Sequence, residues 1–387
     1  NGSLESSNLT DKLRARGQTT VNKTEKIFDE YATVGGPIRK DRLWFFGSFR
    51  TWGYQRRHAD TFYNKTQGSP FFTKDVDRPK ALNKPRFEWN QSSFIRSTWQ
   101  ASQRNKFNLT FDRQNACNCN SASAATAHEA AFSYRFDPNV LAQVAYSAPL
   151  TNRLLVEAGF AAVHSHWDRF LQSDQSHISI FDQGLGVTYN ATATYIGHPN
   201  YSDRYAQRFS VTYVTGSHNL KTGMSMEQGV RTTLTRATGD GVSYTFNNLV
   251  PTQLTLSGAP WIQKDRFIDF GLYVQDRWSV DRLTLNAGLR FDDFYGWVPA
   301  QDVPASRFLP ERNFAKVSGV PSWKDLNPRV GGSYDLFGNG RTALKAALGR
   351  YVRKVGPSIT GANNPIETSV NSTSRAWNDL NKNYIPD

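Results

Sequence analysis

The sequence of 387 residues is 38% hydrophobic and 13% aromatic, and its formal net charge is +13. No apolar run approaches the length of about eighteen residues that a transmembrane helix needs, which excludes a helical membrane protein. The basic residues are spread singly along the chain instead of being concentrated on one face beside stacking aromatic residues. Nucleic acid is therefore not an expected partner.

A unit of about fifty residues recurs along the chain. Each copy has a run of alternating apolar and polar residues, a tight turn, a second such run and a long polar stretch. Short turns that alternate with long loops are typical of the hairpins of an outer-membrane β-barrel. Turn-forming residues predict six tight turns. They lie near residues 36–41, 102–105, 148–152, 216–219, 279–281 and 337–340.

The arms beside these turns carry apolar residues at every second position, which is the period of a strand and not of a helix. The clearest pair of arms runs from Phe267 to Trp297, and arms of about ten residues can cross a bilayer as tilted strands. The sequence thus predicts an all-β fold, an antiparallel transmembrane β-barrel of the outer-membrane type, with about twelve strands present. The residues expected on the lipid-facing side are Leu43, Phe45, Gly47, Phe49, Phe107, Leu109, Phe111, Leu154, Val156, Ala158, Phe160, Ala162, Phe209, Val211, Tyr213, Ile268, Phe270, Leu272, Val274, Leu283, Leu285, Ala287, Leu289, Phe291, Leu344, Ala346 and Leu348.

The long polar stretches are expected to be irregular extracellular loops. They cover residues 56–88, 116–137, 169–203, 235–265, 298–327 and 354–387. The aromatic side chains Tyr195, Tyr201, Tyr244 and Trp377 within them either stack on sugars or pack loop against loop.

Tryptophan residues in or at the ends of the predicted strands indicate interfacial girdles, because amphipathic rings prefer the headgroup zone. The alternative is that aromatic residues simply favour strands. The six girdle candidates are Trp44, Trp52, Trp99, Trp167, Trp278 and Trp297.

Cys117 and Cys119 are the two cysteines of the chain, and they fall in one polar stretch. Free thiols are unusual on an oxidising cell surface, so a disulfide between them is the favoured interpretation. Free or otherwise paired thiols are the main alternative. A two-thiolate metal site with His128 is the third.

His164 and His166 are two positions apart on a predicted strand and so share one face, which makes them a possible metal pair. Their parity continues the apolar face that begins at Leu154. We therefore favour packing at the membrane boundary, beside Trp167, over metal binding.

The segment DLNKNYIPD has oxygen ligands at alternate positions, as a calcium-binding loop does. Asp379, Asn381, Asn383 and Asp387 occupy positions 1, 3, 5 and 9, and the Ile385 carbonyl is available at position 7. A glycine is missing from position 6. The alternative is a turn-rich polar loop, and no other cofactor is expected.

No GxSxG, HExxH or P-loop pattern occurs in the sequence, and the adjacent carboxylates point to opposite faces of strands. We therefore expect no enzymatic activity.

Four segments resemble the barrel of TonB-dependent outer-membrane receptors, and of their Oar-like branch in particular. They are VGGPIRKDRLWFFGS from Val34 to Ser48, YVTGSHNLK from Tyr213 to Lys221, YVQDRWSVDRLTLNAGLRFD from Tyr273 to Asp292 and NPRVGGSYDLFGNGRT from Asn327 to Thr342. Members of that branch often carry an N-terminal carboxypeptidase-regulatory-like domain. The resemblance covers nearly the whole chain.

The resemblance implies a barrel of twenty-two strands in the bacterial outer membrane, plugged by an N-terminal domain and supplied with energy by TonB. Residues 1–387 are then part of a single barrel domain from a longer protein. The plug, the TonB box and the closing C-terminal strands are absent from the sequence, so the two terminal strands are expected to be open edges. Lipid and lipopolysaccharide are the surrounding partners.

The resemblance also implies the function, which is energised uptake of a bulky ligand captured by the outer loops. Iron chelates, oligosaccharides and peptides are the candidate ligands. One alternative is a surface adhesin or structural barrel that shares the wall. Another is a soluble all-β enzyme, which aqueous buffer would extract without detergent.

Overall fold

The computed structural model describes residues 5–18, 20–77 and 86–386. Twelve long strands form one antiparallel sheet, which we call the wall, and chain neighbours within it pair with each other. Seven shorter strands lie in the long connections. In chain order the strands are β1 (Lys23–Arg39), β2 (Leu43–Arg57), β3 (Arg86–Gln100), β4 (Lys106–Cys119), β5 (Phe132–Pro149), β6 (Leu154–Leu171), β7 (Ser179–Asp182), β8 (Val187–Tyr189), β9 (Thr194–Val214), β10 (His218–Ala237), β11 (Val242–Asn247), β12 (Val250–Ser257), β13 (Trp261–Val280), β14 (Leu283–Val298), β15 (Gln301–Val303), β16 (Arg312–Phe314), β17 (Val317–Asp335), β18 (Ala343–Gly349) and β19 (Ser372–Ala376).

The predicted all-β architecture with about twelve wall strands is confirmed. The wall order is β1-β2-β3-β4-β5-β6-β9-β10-β13-β14-β17-β18. Within the described ranges β1 pairs only with β2, and β18 pairs only with β17, so the wall has two edges, as expected.

Short turns join the wall strands where the sequence predicts them. The first turn lies later than predicted, because Gly36 and Pro37 remain in β1 and the chain reverses at residues 40–42. The irregularity in register between Pro37 and Arg39 absorbs the proline, which has no N–H for the ladder. The other connections are 101–105, 150–153, 215–217, 281–282 and 336–342.

The strand register places the predicted apolar residues on one side of the wall, which we call the outer face. Leu272 of β13 lies directly opposite Met224 of β10 and Phe291 of β14, and directly opposed residues of an antiparallel pair point to the same side. Phe291 is in turn opposite Leu326. The other side, which we call the inner face, carries the intervening polar residues.

The tryptophan girdle is only partly correct. The register puts Trp99, Trp278 and Trp297 on the outer face, where Trp99 stacks on Phe107. Trp44, Trp52 and Trp167 have the opposite parity and belong to the inner face. The preference of aromatic residues for strands, and not an affinity for the membrane interface, explains why tryptophan occurs at these three positions.

We expected the long connections to be irregular, and this prediction is wrong for several of them. They form a second layer of structure, which we call the cap. It is a five-stranded sheet in the order β19-β12-β11-β7-β8, together with the connections that carry these strands. The hairpin of β15 and β16 lies in the next connection along the chain. The chain forms this sheet because backbone N–H and C=O groups in such long connections need partners.

Aromatic residues hold the cap together. Tyr189 and Phe246 are fully buried, and Trp377 packs beside Phe246 at a ring distance of 6.0 Å. Tyr244 lies 4.8 Å from the Trp377 ring. Tyr244 and Trp377 therefore pack loop against loop and do not offer their faces to sugars.

Three short α-helices, α1 (Asp11–Ala15), α2 (Pro357–Gly361) and α3 (Pro365–Thr368), and two single-turn 3-10 helices at His128–Ala130 and Gly239–Gly241 complete the described chain. No helix among the described residues is long and apolar enough to cross a membrane. Helix α2 packs on the wall against β10, β13, β14 and β17. We call residues 350–371, which contain α2 and α3, the inner segment.

Candidate functional site on the inner face of the wall

Glycines on the inner face make room for long basic side chains. Arg208 of β9 lies opposite Gly159 of β6, and a Cβ at Gly159 would be 2.8 Å from the Arg208 Nε. Gly271 of β13 similarly leaves space for the Arg290 guanidinium. The wall can therefore carry arginine side chains flat along its inner face.

Arg290 organises a polar cluster on β10, β14 and β17. Its Nε lies 2.7 Å from Asp292 Oδ1, and its Nη2 donates to the Ser225 hydroxyl at 3.0 Å. The Asn327 amide donates to the other oxygen of Asp292 at 2.8 Å. Asp292 and Asn327 are buried, and both carboxylate oxygens of Asp292 have partners, so the cluster links three strands through a buried charge.

The inner segment is attached to this face by two ion pairs. Glu227 of β10 accepts from Arg204 at 3.3 Å and pairs with Lys354 of the inner segment. Arg350 pairs with Asp325 and donates to the Leu326 carbonyl at 2.8 Å. The segment therefore lies against the wall over a charged surface.

A cavity of about 690 Å³ separates the inner segment from the wall. Acidic and basic side chains are both present in its lining, so it can bind a polar ligand of mixed charge. The charged lining residues are Arg208, Glu227, Asp269, Arg290, Asp292, Asp325, Arg329, Arg353 and Lys354.

A buried amide network fixes the end of the inner segment. The Asn364 amide nitrogen donates to Asp265 Oδ1 at 2.9 Å, and its oxygen accepts from Gln301 at 2.9 Å and from the Ile366 N–H at 3.1 Å. Gln263 donates to the second oxygen of Asp265 at 3.2 Å. Each side-chain group of Asn364 thus has a partner although the residue is fully buried.

Burial raises the pKa values of two phenols in the cap, Tyr189 and Tyr244. The Tyr189 hydroxyl donates to the Pro70 carbonyl at 2.8 Å. Both phenols stay neutral and serve as packing groups of the cap. At its surface, hydrogen bonds from Ser176 lower the pKa of the exposed Asp174.

The predicted calcium segment forms a tight loop. Asp379 Oδ1 and Asn381 Oδ1 both accept from the Asn383 N–H, at 3.2 Å and 3.1 Å. The Asn383 side chain accepts from the Ile385 N–H at 2.8 Å, and Asp387 lies outside the described residues. Calcium binding by this segment stays a prediction.

Cys117 and Cys119 form a disulfide, which confirms the favoured interpretation. They lie at the end of β4 rather than within a loop, since the strand extends further than the sequence predicts. His128 stacks on Tyr63 at 4.1 Å and contacts Asn120. The disulfide contradicts the two-thiolate metal site with His128.

His164 and His166 lie on the outer face near the cap end of β6. His166 stacks on Tyr201 at 5.2 Å, and His164 meets Tyr205 edge-on at 5.6 Å, so both rings pack as expected. The structure also brings Asp203 of β9 to both imidazoles. Sequence reasoning missed Asp203 because only the pairing of β6 with β9 makes it a neighbour.

An apolar outer face, a polar inner face and long connections at one end define a wall segment of an outer-membrane β-barrel. Residues 81–386 match the model of the family described as outer membrane beta barrel domain. The chain belongs to this family, and the protein is located in the outer membrane.

Solved structures share the fold at low sequence identity. The outer membrane transporter YddB from Escherichia coli is similar at a TM-score of 0.56 and 13% identity, over 92% of this chain and 41% of that chain. The ferric yersiniabactin uptake receptor FyuA from Yersinia pestis is similar at 0.53 and 9% identity, over 82% and 43%. The chain thus spans about two fifths of the length of either protein. No curated protein matches it.

Proposed function

We propose that the chain is the wall segment of an energised outer-membrane transporter that imports a bulky ligand. The observation that carries this proposal is the charged cavity between the inner segment and the wall, on the side away from the apolar outer face. A cylinder wide enough for a bulky ligand leaves a lumen that side chains do not fill. The inner face of such a lumen must be polar, and the part of the protein that occupies the lumen must be able to move when the ligand passes.

We further propose that the protein is a TonB-dependent receptor of the Oar-like branch, with a plug domain that receives energy from TonB. The four family-like segments support this assignment. All four contribute to wall strands, which are β1, β2, β9, β10, β13, β14 and β17. Residues 1–387 would then form part of one barrel domain whose plug lies elsewhere in the protein.

Ligand capture falls to the cap in this proposal, and passage falls to the inner face. The cap is built from several connections that meet in one sheet, so a ligand that contacts one connection is coupled to the others. The ligand is an iron chelate, an oligosaccharide or a peptide. Transport, and not catalysis, is the activity.

Uptake measurements test the transport proposal. Cells lacking the gene are compared with wild type for accumulation of labelled ferric siderophores, oligosaccharides and peptides. We expect accumulation of one class to fall in the deletion strain and to fall equally in a strain that lacks TonB. Unchanged accumulation of every class, together with a loss of surface attachment, would instead support the adhesin.

We also propose that the segment at residues 379–387 binds calcium. The side-chain oxygens of Asp379, Asn381 and Asn383 accept from backbone N–H groups of the same tight loop. Hard oxygen ligands of this kind suit Ca²⁺. Calcium titration of the purified protein, followed by calorimetry, should show a site that Asp379→Ala removes. Heat of binding that is unchanged by Asp379→Ala would refute this assignment.

A further inference from the structure

Two histidines and a carboxylate meet on the outer face, where β6 pairs with β9. We propose that His164, His166 and Asp203 form a binding site for a divalent transition-metal ion of the zinc class. Among the described residues, these three form the one group of His, Cys, Asp or Glu that could hold such an ion. The site is separate from the inner-face cavity and from the calcium segment.

The spacing of the three ligand atoms fits a metal ion better than it fits hydrogen bonds. His164 Nδ1 lies 3.3 Å from Asp203 Oδ2, and His166 Nε2 lies 3.5 Å from Asp203 Oδ1. Strong charge-assisted hydrogen bonds are shorter, at about 2.7–2.9 Å. Ligands held at about 2.0–2.1 Å from one tetrahedral ion are roughly 3.3 Å apart. All three ligand atoms lie within 4.8 Å of one another, so small side-chain rotations bring them to one ion.

Strand geometry pre-organises the group. His164 and His166 are two positions apart on β6, so their side chains leave the same face. On β9, Asp203 lies between Tyr201, which pairs with His166, and Arg204, which pairs with Val163, and the Ser165 N–H donates to Asp203 Oδ1 at 3.4 Å. Ligands on rigid strands lose little conformational entropy when they bind an ion.

Neighbouring side chains restrain the imidazole rings. The Tyr201 ring stacks on the His166 ring at 5.2 Å, and the Asn139 side chain accepts from the backbone N–H of His166 at 3.1 Å, which holds the strand below that ring. The Tyr205 ring lies against His164. These ring contacts limit the rotation of the two imidazoles before an ion binds.

The site lies at the edge of the lipid-facing band and not in its middle. His164 is ten positions beyond Leu154, which begins β6 next to a short turn. Ten residues at about 3.4 Å each, on a strand tilted by about 40°, rise roughly 25 Å, which is the height of the apolar band. An ion can therefore reach the site from the water side.

The exposed fractions leave room for a further ligand. The side chains of His164 and His166 are 37% and 27% exposed, whereas Asp203 is 13% exposed. Three protein ligands with one position left for water are the pattern of an open zinc site. Imidazole nitrogen suits Zn²⁺, Cu²⁺ and Ni²⁺, whereas Ca²⁺ and Mg²⁺ prefer oxygen.

A second histidine–aspartate pair on the same two strands provides a matched control. His198 Nδ1 lies 2.9 Å from Asp168 Oδ2, and the His198 side chain is 76% exposed. Its distance is that of a hydrogen bond, and no second histidine joins it among the described residues. It should not bind zinc.

Zinc titration of the purified, chelator-treated protein in detergent tests the proposal. Calorimetry with Zn²⁺ in excess calcium, which fills oxygen sites, should show one saturable site per chain. His164→Gln, His166→Gln and Asp203→Asn should each weaken binding at least tenfold, whereas His198→Gln should leave it unchanged. Cobalt should give the absorption bands of a four-coordinate ion in wild type and in His198→Gln only.

The three ligand variants are independent, so a folding failure of one leaves the other two as tests. Heat-modified gel mobility identifies the folded variants. No saturable zinc site in wild type would overturn the proposal, and so would an equal loss of affinity in His198→Gln and in the ligand variants.

Discussion

Leu272 and Val274 of the wall are 47% and 51% exposed, whereas Phe246 and Tyr189 of the cap are fully buried. The two regions use the same kinds of side chain in opposite ways because they face different solvents. Apolar side chains of the wall meet lipid, which accepts them, and those of the cap must leave water. Exposed apolar side chains of the wall therefore form a surface for lipid, whereas the aromatic core of the cap is shielded from water.

The wall and the cap also differ in how their polar groups find hydrogen-bond partners. The wall satisfies its backbone through long ladders, and its charged side chains pair across the inner face. The cap satisfies irregular backbone through buried side chains. Asp182 accepts from the N–H groups of Leu185, Asn248 and Leu249 at 2.7–3.0 Å. The wall thus depends on strand pairing, and the cap depends on particular side chains.

Emptying the aromatic core of the cap should have the largest effect. Phe246→Ala removes a fully buried ring beside Trp377 and should cost the cap about 3–5 kcal/mol. Hydrogen exchange of cap amides should accelerate while exchange in the wall stays slow. Phe181→Ala, at an exposed position of the same sheet, is the control. Equal acceleration in cap and wall would show that the two regions unfold as one.

Placing a charge on the outer face should have the second largest effect on stability. Ala158→Lys places an ammonium group on the outer face near the middle of the band and should cost about 2–4 kcal/mol. Ala161→Lys makes the same change on the inner face, beside the polar cavity, and should cost much less. Denaturant titration of the protein folded in lipid vesicles measures both. Equal costs would mean that the two faces do not differ in solvent.

Loss of the Asn364 anchor should have a smaller, local effect. Asn364→Ala leaves the buried Asp265 and Gln301 short of partners and should cost about 1–3 kcal/mol. Limited proteolysis should then cleave the inner segment faster. Asn363→Ala, an exposed neighbour, should cleave at the wild-type rate. Unchanged cleavage of Asn364→Ala would show that Asn364 does not anchor the inner segment.

The ion pair between Lys354 and Glu227 should contribute least. The Lys354 side chain is largely exposed, so Lys354→Met should cost roughly 0.2–1 kcal/mol. A double-mutant cycle with Glu227→Gln isolates the pair, and Arg353→Met, on the adjacent residue, is the control. A coupling energy well above this range would show that the pair is shielded from water.

The wall could be predicted from the sequence and the cap could not. Alternation over residues such as Leu283 to Phe291 is a local signal, and one tight turn then fixes the register of each hairpin. The cap sheet joins strands that are far apart in the chain, as where Gln253 pairs with Ala376. Its core aromatics lie in short strands whose polar neighbours resemble loop sequence.

The site residues also fall into two groups, those that the local sequence indicates and those that only the folded structure reveals. The disulfide between Cys117 and Cys119 follows from adjacency and compartment, so the sequence indicates it. The sequence also indicates that His164 and His166 share one face, because they are two positions apart on one predicted strand. Asp203 and the partners of Glu227 and Asn364 come from other elements, and tertiary pairing alone reveals them.

Spin labelling along β6 tests most directly whether the two faces of the wall meet lipid and water. Single cysteines are introduced at each position from 154 to 162, in a background without Cys117 and Cys119, and the protein is folded into lipid vesicles. Even positions, which include Val156 and Phe160, should be accessible to oxygen dissolved in lipid, and odd positions to a water-soluble nickel complex. A period of two residues is the predicted result. Accessibility that shows no such alternation would contradict the membrane-spanning wall.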